Sequence, residues 1–190
     1  IDIGTPDKLC SALYILSKLK NFKNENFILC QIGAFNAFIK VRNGRIVDGI
    51  GGTNSSSAYI SHGRIDKEFL YLNFKIGKFS GGVRDILKKE NEKDAWNYFF
   101  YGIEKDISSL IDKKIDKVYF CGCIDKKIED ELKKRIEKKF NVKVYKEIKF
   151  ASSRGGAILM NGLFNGKFKN LIKHMKIQEA KGDIFDFIYF

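Results

Sequence analysis

The most constraining feature of this sequence is the stretch of residues 27–53, in which three short strands are joined by two tight turns. The first strand opens with an unbroken apolar run, residues 27–29, which is typical of a strand buried on both faces. Asn43-Gly44 is the strongest short-range signal for a β-hairpin, because a type I′ turn requires positive φ angles at both central residues. The stretch therefore predicts a three-stranded antiparallel meander, with glycines clustered at its end.

Helices and strands alternate in the rest of the chain. An apolar residue at every fourth position over residues 94–112 predicts a long amphipathic helix. A short buried strand at 118–121 follows, then a helix that Asp125 can cap, and then another strand at 142–148. Strands separated by helices need right-handed crossovers, which make them parallel. We therefore predict an α/β fold with a five-stranded mixed sheet, in which a three-strand antiparallel meander is joined by two parallel strands and flanked by helices.

An N-terminal helix is predicted over residues 5–20. Thr5 is a favourable N-cap, and Pro6 fits the first helical position, where no N–H is needed. An apolar stripe that includes Leu13 and Leu16 gives the helix one face to bury. The helix therefore needs an apolar partner.

The net charge of +12 raises the question of a nucleic-acid partner. The lysines are interleaved with acids, as in residues 126–139, and no basic block alternates with aromatic residues as a single-strand groove requires. We interpret the charge as a lysine-rich solvated surface and do not expect a nucleic-acid partner. No apolar run approaches the roughly 18 residues of a membrane helix, and no signal peptide is visible, so we expect a cytoplasmic protein without a membrane partner.

The cysteines and histidines do not have the spacing of a metal site. Cys10 and Cys30 lie in apolar segments, where a free thiol behaves as a small hydrophobe. Cys121 and Cys123 are separated by one residue instead of the two or more of zinc motifs, and the two histidines lie far apart. We predict reduced thiols and no metal bound by side chains of these types.

The meander resembles the start of the second lobe of acetate- and butyrate-type kinases. These kinases belong to the superfamily of acetate and sugar kinases, heat-shock chaperones and actins. The resemblance rests on the turn at Gly33-Ala34, the Asn43-Gly44 hairpin, and a third strand that ends in Asp-Gly-Ile-Gly-Gly-Thr at residues 48–53. It is strongest to an uncharacterised archaeal family described as related to butyrate kinases. It covers about residues 25–190 and implies a ribonuclease-H-like lobe.

The resemblance implies that the first turn, formed by Gly33, Ala34, Phe35 and Asn36, is a phosphate loop whose backbone N–H groups face the phosphates of ATP. Acetate kinases usually place Gly-Asn-Gly here, so the bulky Phe35 is a departure. Gln31 stands where these kinases carry a histidine that contacts the transferring phosphoryl group, and an amide can also donate to developing phosphate charge. The alternatives are an ordinary hairpin turn and a structural glutamine.

Two later segments resemble nucleotide-contacting parts of the same superfamily. The strand at 118–121 and the residues after it resemble the adenosine motif, with Gly122 as its first glycine and Cys123 in place of its second. Gly155 and Gly156 resemble the start of the next helix, which lies beside the nucleotide. A routine β–α turn and tight helix packing explain the same residues without a ligand.

The segment Gly51, Gly52 and Thr53 is a candidate for lining the cleft between two lobes, and a loop hinge is the alternative. The catalytic arginine of acetate kinases, which lies in a Thr-Arg-Ser-Gly-Asp segment, has no direct equivalent in this sequence. Arg64 is the nearest approach.

The resemblance also divides the chain. We expect residues 1–24 to be a connecting helix that belongs to a missing N-terminal lobe, residues 25–190 to be the C-terminal lobe, and residues 51–93 to be an irregular insertion in it. The implied function is the nucleotide-binding lobe of a kinase that uses ATP and Mg²⁺ to phosphorylate a small carboxylate. We expect the lobe alone to be inactive, and a homodimer is left open.

Two other functions compete with this one. The departures at Gln31, Phe35 and Cys123 favour a non-catalytic module that senses nucleotide or takes part in assembly. A nucleic-acid binder on the same sheet ranks last, because nucleases of this fold need carboxylates on the central strands, and the first strand has none.

Overall fold

The computed structural model describes residues 3–61, 63–64 and 81–181. The strands of this part of the chain form a single sheet in the order β3-β2-β1-β4-β5. β1 pairs antiparallel with β2 and parallel with β4, while β2–β3 is antiparallel and β4–β5 is parallel. The predicted five-stranded mixed sheet is therefore confirmed. The strands are β1 Phe27–Ile32, β2 Ala37–Arg42, β3 Arg45–Ile50, β4 Lys117–Gly122 and β5 Lys143–Ile148.

Helices cover both faces of the sheet, and each face has its own apolar core. The helices are α1 Pro6–Lys18, α2 Val83–Ile86, α3 Glu92–Leu110, α4 Lys126–Phe140, α5 Ala151–Leu163 and α6 Lys169–Met175. One core packs α3 and α4 against the sheet, and the other packs α1, α5 and α6 against the opposite face. Short 3-10 segments lie at Phe22–Asn24, Gly52–Asn54 and Ile177–Glu179.

The centre of the sheet is the parallel pair β1 and β4. Ile28 pairs with Val118 and Cys30 with Phe120, and all four side chains are buried. The neighbouring residues of both strands are buried on the opposite face. This confirms that the two apolar runs are adjacent central strands, because only a strand covered on both sides can be apolar at successive positions.

The hairpin between β2 and β3 has the predicted backbone geometry. Asn43 and Gly44 have φ angles of 48° and 66°, which are the two positive values of a type I′ turn. The Gly44 N–H donates to the carbonyl of Glu25 at 2.9 Å, and a ring nitrogen of His174 lies 2.7 Å from the Asn43 carbonyl. The turn is thus held by contacts from both ends of the chain, and His174 has a structural role there.

The capping residues set the helix ends with two differences from the sequence prediction. The Asn91 side chain accepts from the N–H of Asp94, so α3 begins two residues earlier than predicted. Asp125 caps α4 as predicted, by accepting from the N–H of Lys127 at 2.8 Å. Thr5 occupies the N-cap of α1, but its hydroxyl contacts the Asp7 carboxylate and makes no cap bond.

Helix α1 buries its apolar stripe within the described chain. Leu13 and Leu16 are fully buried in the core that α1 shares with β1, β2 and α5. The chain therefore supplies a partner for this stripe. The assignment of residues 1–24 to a preceding lobe stays a prediction.

The described part of residues 51–93 contains one 3-10 segment, the four-residue helix α2 and the first two residues of α3. His62, residues 65–80 and the aromatic tail at 184–190, which we expect to cover an apolar surface, lie outside the described residues. No helix in the described ranges is long and apolar enough to span a bilayer.

A buried carboxylate joins α3 to α4. Glu104 is 5% exposed and accepts hydrogen bonds from Arg135 Nε at 2.6 Å and Lys139 Nζ at 2.8 Å. Burial raises the pKa of Glu104, but the hydrogen bonds from Lys139 and Arg135 outweigh it, and the net pKa lies below the ordinary value of 4.5. The ionised form is therefore the form that the fold stabilises.

We expect Glu104→Gln to lower the free energy of unfolding at pH 7 by about 1–3 kcal/mol, because two charged donors lose a charged acceptor. A lowered folded pKa contributes stability above pH 4.5, and this contribution is lost as the pH falls through the folded pKa. The Tm difference between the wild type and the variant should therefore be smaller at pH 3 than at pH 7. Thermal unfolding at both pH values tests this, with the exposed Glu131→Gln as the control. An equal Tm difference at pH 7 and pH 3 would contradict it.

Candidate functional site

The carboxyl ends of β1 and β4 lie side by side at one edge of the sheet. Ile32 at the end of β1 pairs with Gly122 at the end of β4. The chain runs from β1 to β2 and β3 on one side, and from β4 to β5 on the other. Such a switch point opens a crevice beyond the strand ends, where α/β proteins bind their ligands.

A cavity of about 230 Å³ occupies this position. The turn after β1 and the turn after β4 both line it, so the structure brings Gly33 and Cys123 to one place. An aromatic wall closes one side, with the rings of Tyr59 and Trp96 stacked at 6.4 Å between centroids and 22° between planes. The lining residues are Ile32, Gly33, Tyr59, Trp96, Phe99, Cys123, Ile124 and Asp125.

The turn from Gly33 to Asn36 is braced from within. The Gly33 N–H donates to Asn36 Oδ1 at 3.1 Å, and the buried Asn36 amide donates to the carbonyl of Ser57 at 2.8 Å. Asn36 thus holds the turn in shape and is not free for a ligand. The N–H groups of the exposed residues Ala34 and Phe35 have no partner among the described residues. They are the donors that this turn can offer to an anion.

Gly33 leaves room at the mouth of the cavity, because a Cβ built on it would meet no atom within 4 Å. Phe35 is 44% exposed and packs against Gly52, where a Cβ would lie 3.2 Å from the Phe35 Cβ. The structure therefore brings the first turn into contact with the predicted cleft segment. Gly51 in that segment is buried, and Thr53 is exposed.

Gly122 is required by the β4–α4 turn itself. Its φ is +116°, and a Cβ built there would overlap the carbonyl oxygen of Ile32. The next N–H, that of Cys123, donates to the same oxygen at 3.1 Å. A substitution at Gly122 would therefore test the fold before it tested a ligand contact, whereas the exposed Cys123 lines the cavity directly.

Gly155 and Gly156 do not line the cavity in the described structure. They lie in α5 on the opposite face of the sheet, where a Cβ on Gly155 would overlap the carbonyl of Cys10 in α1. Close packing of the two helices accounts for Gly155. Gly156 has open space, with the Cys10 Sγ 4.0 Å from a Cβ. A contact between either glycine and a nucleotide stays a prediction.

Gln31 is bound to the start of α1. Its Nε2 donates to Asp7 Oδ2 at 2.7 Å, and its Oε1 accepts from Ser11 Oγ at 3.2 Å. Burial raises the pKa of Asp7, but hydrogen bonds from Thr5, Gln31 and Lys8 outweigh it and lower the net value. The Asp7 carboxylate therefore stays ionised near neutral pH and holds one of the two amide protons of Gln31.

A second cluster was missed by the sequence analysis. Asp106 is fully buried on α3 and accepts from the Ser56 N–H at 2.7 Å and the Ser56 hydroxyl at 2.6 Å. Burial raises the pKa of Asp106, against the opposing effect of Ser56 and Arg64. The sequence did contain a signal for it, namely a charged residue within the apolar stripe of a helix. Asp106 lies three residues after Ile103 and four residues before Leu110.

Asp106 also fixes Arg64, whose Nη2 donates to Asp106 Oδ1 at 3.3 Å and whose Nε donates to the Asn54 carbonyl at 2.7 Å. The Arg64 side chain remains 53% exposed. It lines a second cavity of about 290 Å³ beside Gly49, Gly51 and Asn54. The arginine that the sequence offered as the nearest approach to a catalytic one is thus an oriented, accessible cation.

Within the described ranges, no three His, Cys, Asp or Glu side chains are grouped so that they could hold a metal ion. The four cysteines are free thiols. Burial raises the pKa of Cys121 to about 12, so this thiol is protonated at neutral pH.

The fold is that of carboxylate kinases. An acetate kinase from Entamoeba histolytica is 15% identical, with a TM-score of 0.57 over 82% of this chain and 56% of that one. A propionate kinase from Francisella tularensis is 16% identical, with a TM-score of 0.56 over 77% and 53%. An acetate kinase from Porphyromonas gingivalis is 15% identical, with a TM-score of 0.57 over 80% of this chain and 54% of that one. This chain matches about half the length of each kinase, and the likeness shows a shared fold.

The chain belongs to the family described as "Protein of unknown function (DUF1464)", whose model matches residues 1–190. No curated protein matches it in sequence. The expected α/β fold, with a mixed five-stranded sheet flanked by helices as in these kinases, is confirmed, and the assignment to a C-terminal lobe stays a prediction. The family description contains no reference to butyrate kinases or to archaea, so these finer expectations stay predictions.

The two neighbouring glycines of α5 give a matched pair of variants. We expect Gly155→Ala to destabilise the protein by about 1–3 kcal/mol or more, because its Cβ would overlap the Cys10 backbone. Gly156→Ala should be neutral or stabilising by up to about 1 kcal/mol, because alanine favours a helix and the space is open. Chemical denaturation measures both changes. A stable Gly155→Ala variant that had lost ATP affinity would instead assign Gly155 to the nucleotide.

Proposed function

We propose that this chain is the nucleotide-binding lobe of an ATP-dependent kinase that phosphorylates a small carboxylate of the acetate or butyrate type. The observation that carries the proposal is the pair of turns at the carboxyl ends of β1 and β4. They lie on one cavity, next to a stacked aromatic pair and two backbone N–H groups that have no partner among the described residues.

In this proposal the phosphates lie on the N–H groups of Ala34 and Phe35, and the purine lies against Tyr59 and Trp96, close to Cys123. Flat aromatic surfaces suit a planar base, and backbone N–H groups at a turn suit an anion. The cavity of about 230 Å³ is smaller than the roughly 300–1,000 Å³ of complete small-molecule sites. One lobe therefore offers part of a site, and we expect weak ATP binding until a second lobe completes it.

Mg²⁺ would enter with the nucleotide. Magnesium sites in such enzymes usually consist of one or two carboxylates together with phosphate oxygens and water. Among the described residues that line this cavity, the carboxylate is Asp125, which also caps α4 through the Lys127 N–H. We therefore expect the ATP phosphates and water to supply most of the oxygen ligands of the ion.

Arg64 supports a carboxylate as the second substrate. A guanidinium matches the geometry of a carboxylate and stays charged at all relevant pH values. Asp106 and the Asn54 carbonyl hold two of its N–H groups, and the exposed remainder lines the cavity of about 290 Å³. In the proposal, Arg64 binds the carboxylate or the phosphoryl group that it receives.

Gly33→Glu tests the phosphate position. The new side chain has open space and brings a negative charge close to the N–H groups of Ala34 and Phe35. We therefore expect ATP affinity to fall by at least about tenfold, or about 1.4 kcal/mol, without loss of stability. Calorimetry with ATP and Mg²⁺ measures the change. Ser108→Glu, an exposed position on α3, is the control for added charge. Equal ATP affinity in wild type and Gly33→Glu would show that the phosphates bind elsewhere.

A non-catalytic nucleotide-sensing module is the second candidate function. The observation in its favour is that Gln31, at the position of a catalytic histidine in acetate kinases, is held on both sides of its amide by Asp7 and Ser11. A residue fixed in this way contributes to the fold and has less freedom to follow a transferring phosphoryl group.

The Gln31→Ala variant, made in the protein that contains both lobes, distinguishes a kinase from a non-catalytic sensing module. A structural glutamine predicts a loss of about 1–3 kcal/mol in stability, because Asp7 and Ser11 lose a partner, with kcat unchanged. A glutamine that stabilises the transition state predicts a fall in kcat of roughly a hundredfold or more, with a smaller change in KM for ATP. Gln178→Ala, at the exposed second glutamine of the chain, is the control.

A further inference from the structure

A groove lies between α1 and α5, on the face of the sheet opposite to the candidate nucleotide cavity. Its volume of about 390 Å³ is larger than the volumes of the two cavities described above. Tyr14 and Lys18 line it from α1, Arg154 from α5, and Lys167 and Phe168 from the segment that precedes α6. The function proposed above does not use these residues.

We propose that this groove binds a small phosphorylated ligand of mononucleotide size. The first argument is charge. Lys18, Arg154 and Lys167 converge from three segments, and the described residues that line the groove include no acidic side chain. None of the three forms an ion pair with a described residue, whereas Lys117 and Lys139, for example, are each paired with a glutamate.

The cations are held beside aromatic rings. Lys18 Nζ lies 5.3 Å and Arg154 Cζ 5.5 Å from the centre of the Tyr14 ring, and Arg154 Nη1 donates to the Tyr14 hydroxyl at 2.8 Å. Lys167 Nζ lies 5.8 Å from the centre of the Phe168 ring. Rings orient the positive groups without neutralising them. The Arg154 guanidinium thus keeps N–H groups for a phosphate, which its planar fork fits well.

The ligand class follows from size, charge and surface. A volume of about 390 Å³ lies within the range of small-molecule sites. The three positive charges, which have no acidic partner among the described residues, repel one another, and a phosphate placed among them reduces this repulsion. Tyr14 and Phe168 offer apolar ring surface for the rest of the ligand. A phosphate joined to a planar group, as in a mononucleotide, matches all three features.

Occupation of the groove would join α1 to α5. Lys18 and Arg154 lie on different helices, so a phosphate bound by both adds a link between helices that already touch at Cys10 and Gly155. Helix α1 also carries Asp7, which holds Gln31 at the candidate nucleotide site. A ligand in the groove would therefore stabilise the helix that positions Gln31.

Calorimetry with 5′-AMP on the wild-type chain and on single variants tests this inference. We expect AMP to bind, and we expect adenosine, which lacks the phosphate, to bind at least about tenfold more weakly. Arg154→Met and Lys167→Met should each weaken AMP binding by about tenfold, in keeping with the loss of one charge-assisted contact to the phosphate. Lys134→Met, which removes an exposed charge from α4, should leave AMP binding unchanged.

The Gly33→Glu variant separates this site from the first one. AMP binding that is lost in Gly33→Glu but kept in Arg154→Met and Lys167→Met would assign AMP to the cavity beside β1 and overturn the groove proposal. Binding of a single-stranded oligonucleotide without binding of AMP would also overturn it and assign the groove to nucleic acid. If Arg154→Met proves unstable because the Tyr14 bond is lost, Lys18→Met and Lys167→Met provide the same test.

Discussion

The parallel pairing of β1 with β4 is the constraint on which the rest of this structure depends. Both strands are apolar at successive positions, so each must be covered on two faces, and their backbone groups must bond to neighbouring strands. This requires helices on both sides of the sheet and places the meander on one side and β5 on the other. It also aligns the carboxyl ends of β1 and β4, and the candidate nucleotide cavity lies beyond these ends.

Three glycines that look alike in the sequence have different physical roles. Gly122 provides a positive φ and lets the β4–α4 turn approach Ile32. Gly155 lets the backbones of α1 and α5 come together at Cys10. Gly33 has neither constraint and leaves open space beside the cavity. Absence of a steric reason is what makes Gly33 the stronger candidate for a ligand contact, because the other two are already explained by packing.

The arginines show the same contrast in their electrostatics. Arg64 is held by the buried carboxylate of Asp106, which fixes its direction and neutralises part of its charge. Arg154 is held by the hydroxyl of Tyr14, which fixes its direction and leaves its charge intact. The positive charges that make up the net charge of +12 are therefore neutralised by acidic neighbours to different degrees. Lys117 and Lys139, for example, each have a glutamate partner, whereas the groove between α1 and α5 brings together three cations that form no ion pair with a described residue.

Local patterns in the sequence were sufficient to predict most of the architecture. The alternation and the apolar runs located the five strands of the described sheet, and the Asn43-Gly44 pair specified the type I′ turn. Apolar residues at every fourth position located α3 to within two residues at each end. These features depend on residues that are neighbours along the chain, so a single sequence contains the information for them. The turn at Gly33 and the one at Gly122 could be placed together because carboxyl ends of neighbouring parallel strands share an edge.

The tertiary structure decided what each polar side chain and each glycine does. Gln31 meets Asp7 across 24 residues, Ser56 meets Asp106 across 50, and Arg154 meets Tyr14 across 140. No local pattern specifies such a pair, because its geometry depends on how whole helices pack on the sheet. The sequence by itself determined where the strands and helices lie and which edge of the sheet is open. Only the packing of α1 against α5, with close contact at Gly155, placed Arg154 at a groove, and only the packing of α1 on the sheet brought the Asp7 carboxylate to Gln31.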